Sequence, residues 1–240
     1  MFFNFIKARP TLKELIPEGF IDIHSHILPG IDDGAKNIEE SLVMINEMKK
    51  MGFSKIIATP HIYPGLYDNN KKIISEVHKD IIAKNKKDID ITFAAEYMLE
   101  DNLIKLAKNN SLLFLKDKYL LIEFSYISSP NNLKNIIFQL QINNCIPILA
   151  HPERYLYLKS DKLIELKKRG CKFQLNLLSV TGYYGDKVVK ISDFLLKHDL
   201  VDFVGSDIHS INHINFFNKK IKINEVESFE KSLKKNNLFS

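Results

Sequence analysis

The chain has 240 residues, of which 45% are hydrophobic and 26% charged, so it can bury a core and is not disordered by composition. Its only two cysteines, Cys145 and Cys171, exclude a disulfide framework and fit a reducing compartment. No apolar run nears the roughly 18 residues of a membrane span, and the start lacks the apolar core and cleavage site of a signal peptide. The formal net charge of +5 sits on scattered lysines such as Lys49, Lys50, Lys71, Lys72, Lys86, Lys87, Lys167 and Lys168, on faces expected to be solvated. That pattern suits attraction of an anionic substrate better than a nucleic-acid surface. A cytoplasmic protein with neither membrane insertion nor a nucleic-acid partner is expected.

In chain order, the first β-rich run is 19–23, followed at once by His24 and His26 and then by a loop carrying Asp32 and Asp33. Asn37 with Glu40 marks a helix start. Ile38, Leu42, Ile45 and Met48 recur at helical spacing, and Gly52 closes the element. A strand at 54–59 leads to His61, a helix is expected over 70–86, and a strand at 90–95 leads to Glu96. The strand at 119–124 holds Glu123 near its end. A helix over 131–143 precedes the strand 146–150 and His151. A helix over 160–169 precedes the strand 172–176, which contributes only Asn176. A helix over 186–198 precedes the strand 201–206, after which come Asp207 and His209, and a last helix is expected over 222–235.

Strands alternating with helices predict an α/β fold of parallel βαβ units. About seven of them fit either a closed or nearly closed barrel or an open doubly wound sheet, with ligands at the carboxyl ends of the strands in both cases. One domain over residues 1–240 is expected, with residues 1–18 as an N-terminal extension of unknown role. Six of the seven strands deliver His, Asp or Glu at that end, and five of the eight histidines fall there. His78, His198 and His213 read as surface residues. Because side chains two apart share a strand face, His24 and His26 pair, as do Asp207 and His209, while Ile21 and Ile23 are expected to face the covering helices. Mixed imidazole and carboxylate donors suit divalent manganese, iron or zinc. The donors outnumber one ion's needs, so about two or three ions are expected, with a carboxylate such as Glu96 bridging. Spacing does not choose between Asp32 and Asp33.

Arg154, one of three arginines, follows His151 by three residues. Its rigid guanidinium fork matches phosphate oxygens; a loop ion pair with Glu153 is the plainer alternative. Cys145 and Cys171 lie next to strands rather than in a phosphate-cradling loop, and neither a nucleophile elbow nor a Walker-type glycine loop is present. Tyr183 and Tyr184, in "GYYG", read equally as a surface turn or as substrate contacts. Tyr63, Phe124, Tyr126 and Tyr155 are candidates for packing against a substrate ring, with core packing the plainer reading for Phe124.

The strings "DIHSHILPGIDDGA", "TPH", "AAE", "IEF", "AHPERY" and "GSDIH" occur in this order. From Gly19 to His209 the chain resembles the polymerase-and-histidinol-phosphatase (PHP) superfamily, and within it the bacterial manganese-dependent protein-tyrosine phosphatases of capsule and exopolysaccharide loci, the CpsB/YwqE type. The resemblance implies a distorted TIM-like (β/α)7 barrel of PHP fold with three metal ions. It implies a first ion on His24, His26, Glu96 and Asp207, a second shared by Glu96 with Glu123 and His151, and a third on Asp33, His61 and His209. Arg154 falls at the catalytic arginine, and Asp207 and His209 are counted with it as catalytic; Asp32 is left unassigned. The implied substrate is a tyrosine-phosphorylated protein, a bacterial tyrosine autokinase. The alternatives are a small-molecule phosphomonoesterase such as a histidinol phosphatase, a nuclease, and a non-catalytic phosphotyrosine-binding regulator.

Overall fold

The computed structural model describes residues 8–85 and 89–240. The first seven residues of the expected extension, and Lys86 and Lys87 at and beyond the expected end of the 70–86 helix, lie outside the described residues. The strands are β1 (Phe20–Asp22), β2 (Phe53–Ala58), β3 (His61–Ile62), β4 (Asp90–Phe93), β5 (Glu96–Met98), β6 (Tyr119–Glu123), β7 (Ile146–Ala150), β8 (Lys172–Asn176) and β9 (Phe203–Gly205). Their ladders are parallel throughout, in the orders β1-β2-β4 and β3-β5-β6-β7-β8-β9. The seven expected strands thus become nine segments, because beyond two of them, 54–59 and 90–95, the chain resumes as a second short strand. Pro60 has no N–H to donate to a ladder, and the chain changes partners there. Ala94 N still donates to Ala58 O (2.8 Å) and Glu96 N to Pro60 O (3.1 Å), so the two sheets continue into one another.

The first and last strands meet at three places, one of them midway, where Ser206 N donates to Asp22 Oδ1 (2.8 Å). At the carboxyl end Asp207 N donates to His24 O (2.7 Å) and His26 N to Ile208 O (2.9 Å). At the other end the ladder is replaced by one side chain. Buried Asn236 donates to Ile21 O (2.9 Å) and Val204 O (2.8 Å) and accepts from Val204 N (3.1 Å). Asn236→Leu would leave these buried backbone groups unpaired and is expected to cost about 3 kcal/mol, measurable by urea denaturation. A loss under about 0.5 kcal/mol would mean that the seam closes without Asn236.

Helices cover the outside: α1 (Leu12–Leu15), α2 (Ile38–Lys50), α3 (Lys71–Lys84), α4 (Asp101–Lys108), α5 (Leu133–Ile142), α6 (Ser160–Lys168), α7 (Asp186–Lys197), α8 (Ile211–Phe216) and α9 (Val226–Lys235). None among the described residues is long and apolar enough to cross a membrane. In α2, Asn37 caps the start by accepting from Glu40 N, while Glu40 Oε2 reaches Lys36 N rather than closing a box with Asn37. Three helices lack an expectation from the sequence. In α4, Leu103 and Ala107 form a buried stripe too short to stand out. α8 buries Ile214 alone. α1 is one turn, held by a reciprocal Thr11–Glu14 cap, and it sinks Leu12 into the core. The last helix begins at Val226 rather than at residue 222.

The core has two shells. Ile57, Leu121, Ile148 and Phe203 form the inner cluster, while their strand neighbours Ile56, Leu120, Leu149 and Val204 pack outward among helix residues such as Met44 and Leu140. Ile21 and Ile23 belong to the inner cluster, which corrects the expectation that they face the helices. The reason is local: β1 ends at Asp22, so strand alternation no longer governs Ile23 and His24. Both the isoleucines and the histidines turn inward, at different depths.

Candidate functional site

The inward-facing end of each strand brings the polar residues onto one rim. His24 Nδ1 donates to Gln174 Oε1 (2.9 Å) and His26 Nδ1 to Asp32 Oδ2 (2.8 Å). These bonds fix the tautomers and leave both Nε2 atoms facing the same space, 3.2 Å apart. His24 Nε2 is 3.1 Å from Glu96 Oε2 and 3.2 Å from Asp207 Oδ1; His26 Nε2 is 3.4 Å from each of these oxygens. All four residues are buried.

Two further groups adjoin this one. His26, Asp33, His61 and His209 converge, with Asp33 Oδ1 3.4 Å from His61 Nε2 and 3.3 Å from His209 Nε2. His61, Glu96 and Glu123 form the third, with His61 Nδ1 2.9 Å from Glu123 Oε1 and 3.2 Å from Glu96 Oε2. His151 Nε2 contacts the other oxygen of Glu96 at 3.1 Å. Glu96 is therefore the hub, touching four imidazoles. The tight group around Glu123 is completed by His61, and His151 joins through Glu96.

The electrostatics follow from this crowding. Burial opposes ionisation of Glu96, but His24 and His61 hold its carboxyl well below the usual range. Asp33 is likewise lowered, against burial, by His209 and His61. Glu123 is raised by burial and by the neighbouring Glu96 charge. His151 drops to about 4 through burial and the Arg154 cation.

Two of the six described non-glycine residues with positive φ lie on the rim. His151 (φ 37°), directly after β7, and Asp207 (φ 51°), two residues past β9, take left-handed conformations, where non-glycine residues are uncommon. Two glycines permit close approach. A Cβ on Gly34 would lie 2.0 Å from His26 O, and one on Gly205 would lie 2.7 Å from His24 Cβ. Gly34 lets the 26–35 loop fold back, so that Ala35 N donates to His26 O (3.0 Å) and Asp32 swings under His26.

Arg154 Nη1 donates to Asp207 Oδ2 at 2.5 Å. Its guanidinium lies over the rings of Tyr184 (4.2 Å) and Tyr126 (4.9 Å). The Glu153 alternative fails, because Glu153 is buried on another side, accepting from Asn176 N (3.0 Å) and Ser179 Oγ (2.7 Å). Asn176 Nδ2 also donates to Asp207 Oδ2 (2.9 Å). Asp207 thus touches the histidine pair with one oxygen and Arg154 with the other. Asp33, His61, Glu96, Glu123, His151, Arg154, Asp207 and His209 line a cavity of about 370 Å³.

Several roles were not legible in the sequence. Asp32 is the support of His26, and it also accepts from His61 N (3.2 Å) and Gly34 N (2.9 Å). Gln174 shows that the sixth strand contributes more than Asn176; it lies two residues before Asn176 on the same inward face. Tyr184 is a site residue rather than a surface turn, whereas Tyr183 packs against His213 and Phe216. His213 is not a surface residue: its Nδ1 accepts from His209 N (3.2 Å). His78 is half-buried, bonded to Ile91 O (2.8 Å); His198 is exposed as expected. Phe124 and Tyr155 are fully buried, with Tyr155 Oη accepting from Phe124 N (2.9 Å); Tyr155 is not at the cavity, whereas Tyr63, Phe124 and Tyr126 line it together with Tyr67, which the sequence did not single out.

A model of the family "Capsular polysaccharide synthesis, CpsB/CapC" matches residues 20–221. The tyrosine-protein phosphatase YwqE of Bacillus subtilis is 32% identical over 202 residues, covering 82% of this chain and 80% of its own length. The putative tyrosine-protein phosphatase CapC of Staphylococcus aureus is 32% identical over 84% of this chain and 81% of its own. A solved structure from work on YwqE and on CpsB of Streptococcus pneumoniae, described as metal-dependent tyrosine phosphatases, superposes with a TM-score of 0.76 at 31% identity, covering 88% of this chain and 86% of that one. A histidinol phosphate phosphatase from Lactococcus lactis shares the fold alone, with 15% identity and a TM-score of 0.54 over 90% of this chain and 94% of its own.

Proposed function

The chain belongs to the CpsB/CapC family of capsular polysaccharide synthesis proteins, and from that membership we propose that it is a metal-dependent phosphatase hydrolysing phosphotyrosine monoesters. The proposed substrate is a bacterial tyrosine autokinase governing capsule or exopolysaccharide synthesis, met in the cytoplasm. The observation that carries the reading is the buried four-donor group joined through Asp207 to Arg154. Five of the six separations among the donors of His24, His26, Glu96 and Asp207 are 3.1–3.4 Å, and all four atoms lie within 4.8 Å of one another, close enough to share one ion. Asp33, His61 and His209 are proposed to hold another ion. Glu96 and Glu123, with His61 and His151 beside them, would hold a further one. The mixed nitrogen and oxygen set suits manganese, with iron or zinc as substitutes.

Bound divalent ions would offset phosphoryl charge and lower the pKa of the attacking water. The chain's own residues do the rest. Arg154 holds non-bridging phosphoryl oxygens with its fork, in the orientation set by Asp207 and the two tyrosine rings. Asp207 is shared between donor group and Arg154, so substrate and ion positions are coupled. His209, bonded through Nδ1 to Asp207 O (2.9 Å), keeps Nε2 toward Asp33. The leaving phenolate belongs to a group of pKa about 10 and needs less proton donation than an alkoxide.

The protein with manganese is expected to release phosphate from a phosphotyrosine peptide, to lose that activity to a chelator, and to regain it when manganese is restored. Full activity after metal removal would overturn the mechanism. Faster turnover of histidinol phosphate would move the substrate to small molecules, and tight binding without turnover would make the protein a regulator.

A further inference from the structure

The cavity is built in two tiers. Its floor is the donor groups and Arg154; its mouth is apolar, with Tyr63, Leu66, Met98, Tyr126 and Ile127. Three large hydrophobic side chains at that mouth are exposed: Leu66 (62%), Tyr126 (50%) and Ile127 (89%). Isolated exposed apolar residues are ordinary, but several around one opening mark a binding surface.

Both tips are held by local structure. Leu66 rides a closed turn in which Tyr63 and Tyr67 exchange backbone hydrogen bonds (3.0 and 2.7 Å) and Gly65 N donates to Asp68 Oδ1 (2.8 Å). Ile127 N donates to Ser125 Oγ (3.2 Å), and Ser125 O accepts from Tyr157 Oη (2.8 Å). Backbone held in place in this way loses less entropy on binding. An aryl ring whose phosphate is on the floor would lie against the cavity-lining rings of Tyr63, Tyr67 and Tyr126. Leu66 and Ile127 are then left for whatever adjoins that ring.

Resting on the phosphatase reading, we propose that Leu66 and Ile127 select a polypeptide substrate carrying an apolar side chain beside its phosphotyrosine. The test compares two phosphotyrosine peptides identical except for leucine or serine next to the phosphotyrosine, with free phosphotyrosine as a third substrate. For the unsubstituted protein kcat/KM is expected to be about tenfold higher for the leucine peptide, mainly through KM, the scale of partly burying one aliphatic group. In the Leu66→Ser/Ile127→Ser double variant the leucine-to-serine ratio is expected to fall to about one; as a ratio within one variant it is independent of that variant's overall rate.

Equal rates on both peptides, or a leucine preference that survives the double substitution, would overturn the proposal. The same peptides in a fluorescence-anisotropy titration keep this outcome separate from failure of the underlying reading. If no substrate releases phosphate, the hydrolytic reading falls. The rim assignment then stands on a leucine preference in affinity that the double variant loses, and falls without one.

Discussion

Replacing Arg154 with lysine is expected to lower turnover of a phosphotyrosine peptide by about 100- to 1000-fold, the usual cost of removing one preorganised donor from a developing charge. Charge is conserved, so the effect isolates shape. The guanidinium satisfies three surroundings at once: a bond to Asp207 Oδ2 at 2.5 Å, the Tyr184 ring at 4.2 Å and the Tyr126 ring at 4.9 Å. An ammonium has no plane to lie over a ring and no parallel pair of donors for phosphoryl oxygens. If lysine keeps its contact with Asp207, it draws away from the cavity; if it reaches the cavity, Asp207 keeps only Asn176 on that oxygen. Metal content, measured by elemental analysis on the same preparation, is expected to remain at the unsubstituted level. An unchanged rate would remove Arg154 from the chemistry, and a lost rate accompanied by lost metal would reassign it to holding Asp207.

Asp32→Asn is expected to weaken metal binding by about 10- to 100-fold, the usual consequence of removing the carboxylate behind a ligating histidine. The side chain keeps its size, and its oxygen can still accept from Gly34 N, so the loop is retained. What changes is the position behind His26, where an uncharged amide nitrogen that cannot accept replaces the oxygen bonded to His26 Nδ1 and His61 N. The carboxylate oxygen 2.8 Å from Nδ1 makes the ring a better base at Nε2, and the same oxygen accepts from His61 N at 3.2 Å, tying two donor histidines together. A competition titration with a chromogenic chelator reads the affinity directly, without an activity assay. Unchanged affinity in Asp32→Asn would show that Asp32 serves only the turn.

The two adjacent aspartates illustrate what spacing conveys. Asp32 and Asp33 are indistinguishable as letters, both in a short loop after two histidines. In the fold they part completely. The Asp32 side chain is shut away behind His26, whereas the Asp33 side chain is 52% exposed and faces His61 and His209. The difference arises from Gly34, whose lack of a Cβ lets the loop turn back onto His26 O, a contact between backbone atoms that no periodicity announces.

By itself the sequence determined the alternation of strands and helices, the parallel α/β class and the gathering of His24, His26, His61, Glu96, Glu123, His151, Asp207 and His209 on one rim. Those follow from local patterns, since parallel strands joined by helices all present their carboxyl ends to the same side. The tertiary structure alone decided which nitrogen each imidazole offers, because its partner comes from elsewhere: Gln174 for His24 across the barrel, Asp32 for His26 around a loop, the Asp207 carbonyl for His209. It also decided that Ile21 and Ile23 lie inside, where the first strand loses its alternation, and that Arg154 lies against Tyr184 and Asp207 rather than Glu153. The Gln174 and Arg154 contacts join residues far apart in the chain, and the others rest on loop turns or a break in backbone regularity that no periodic pattern encodes.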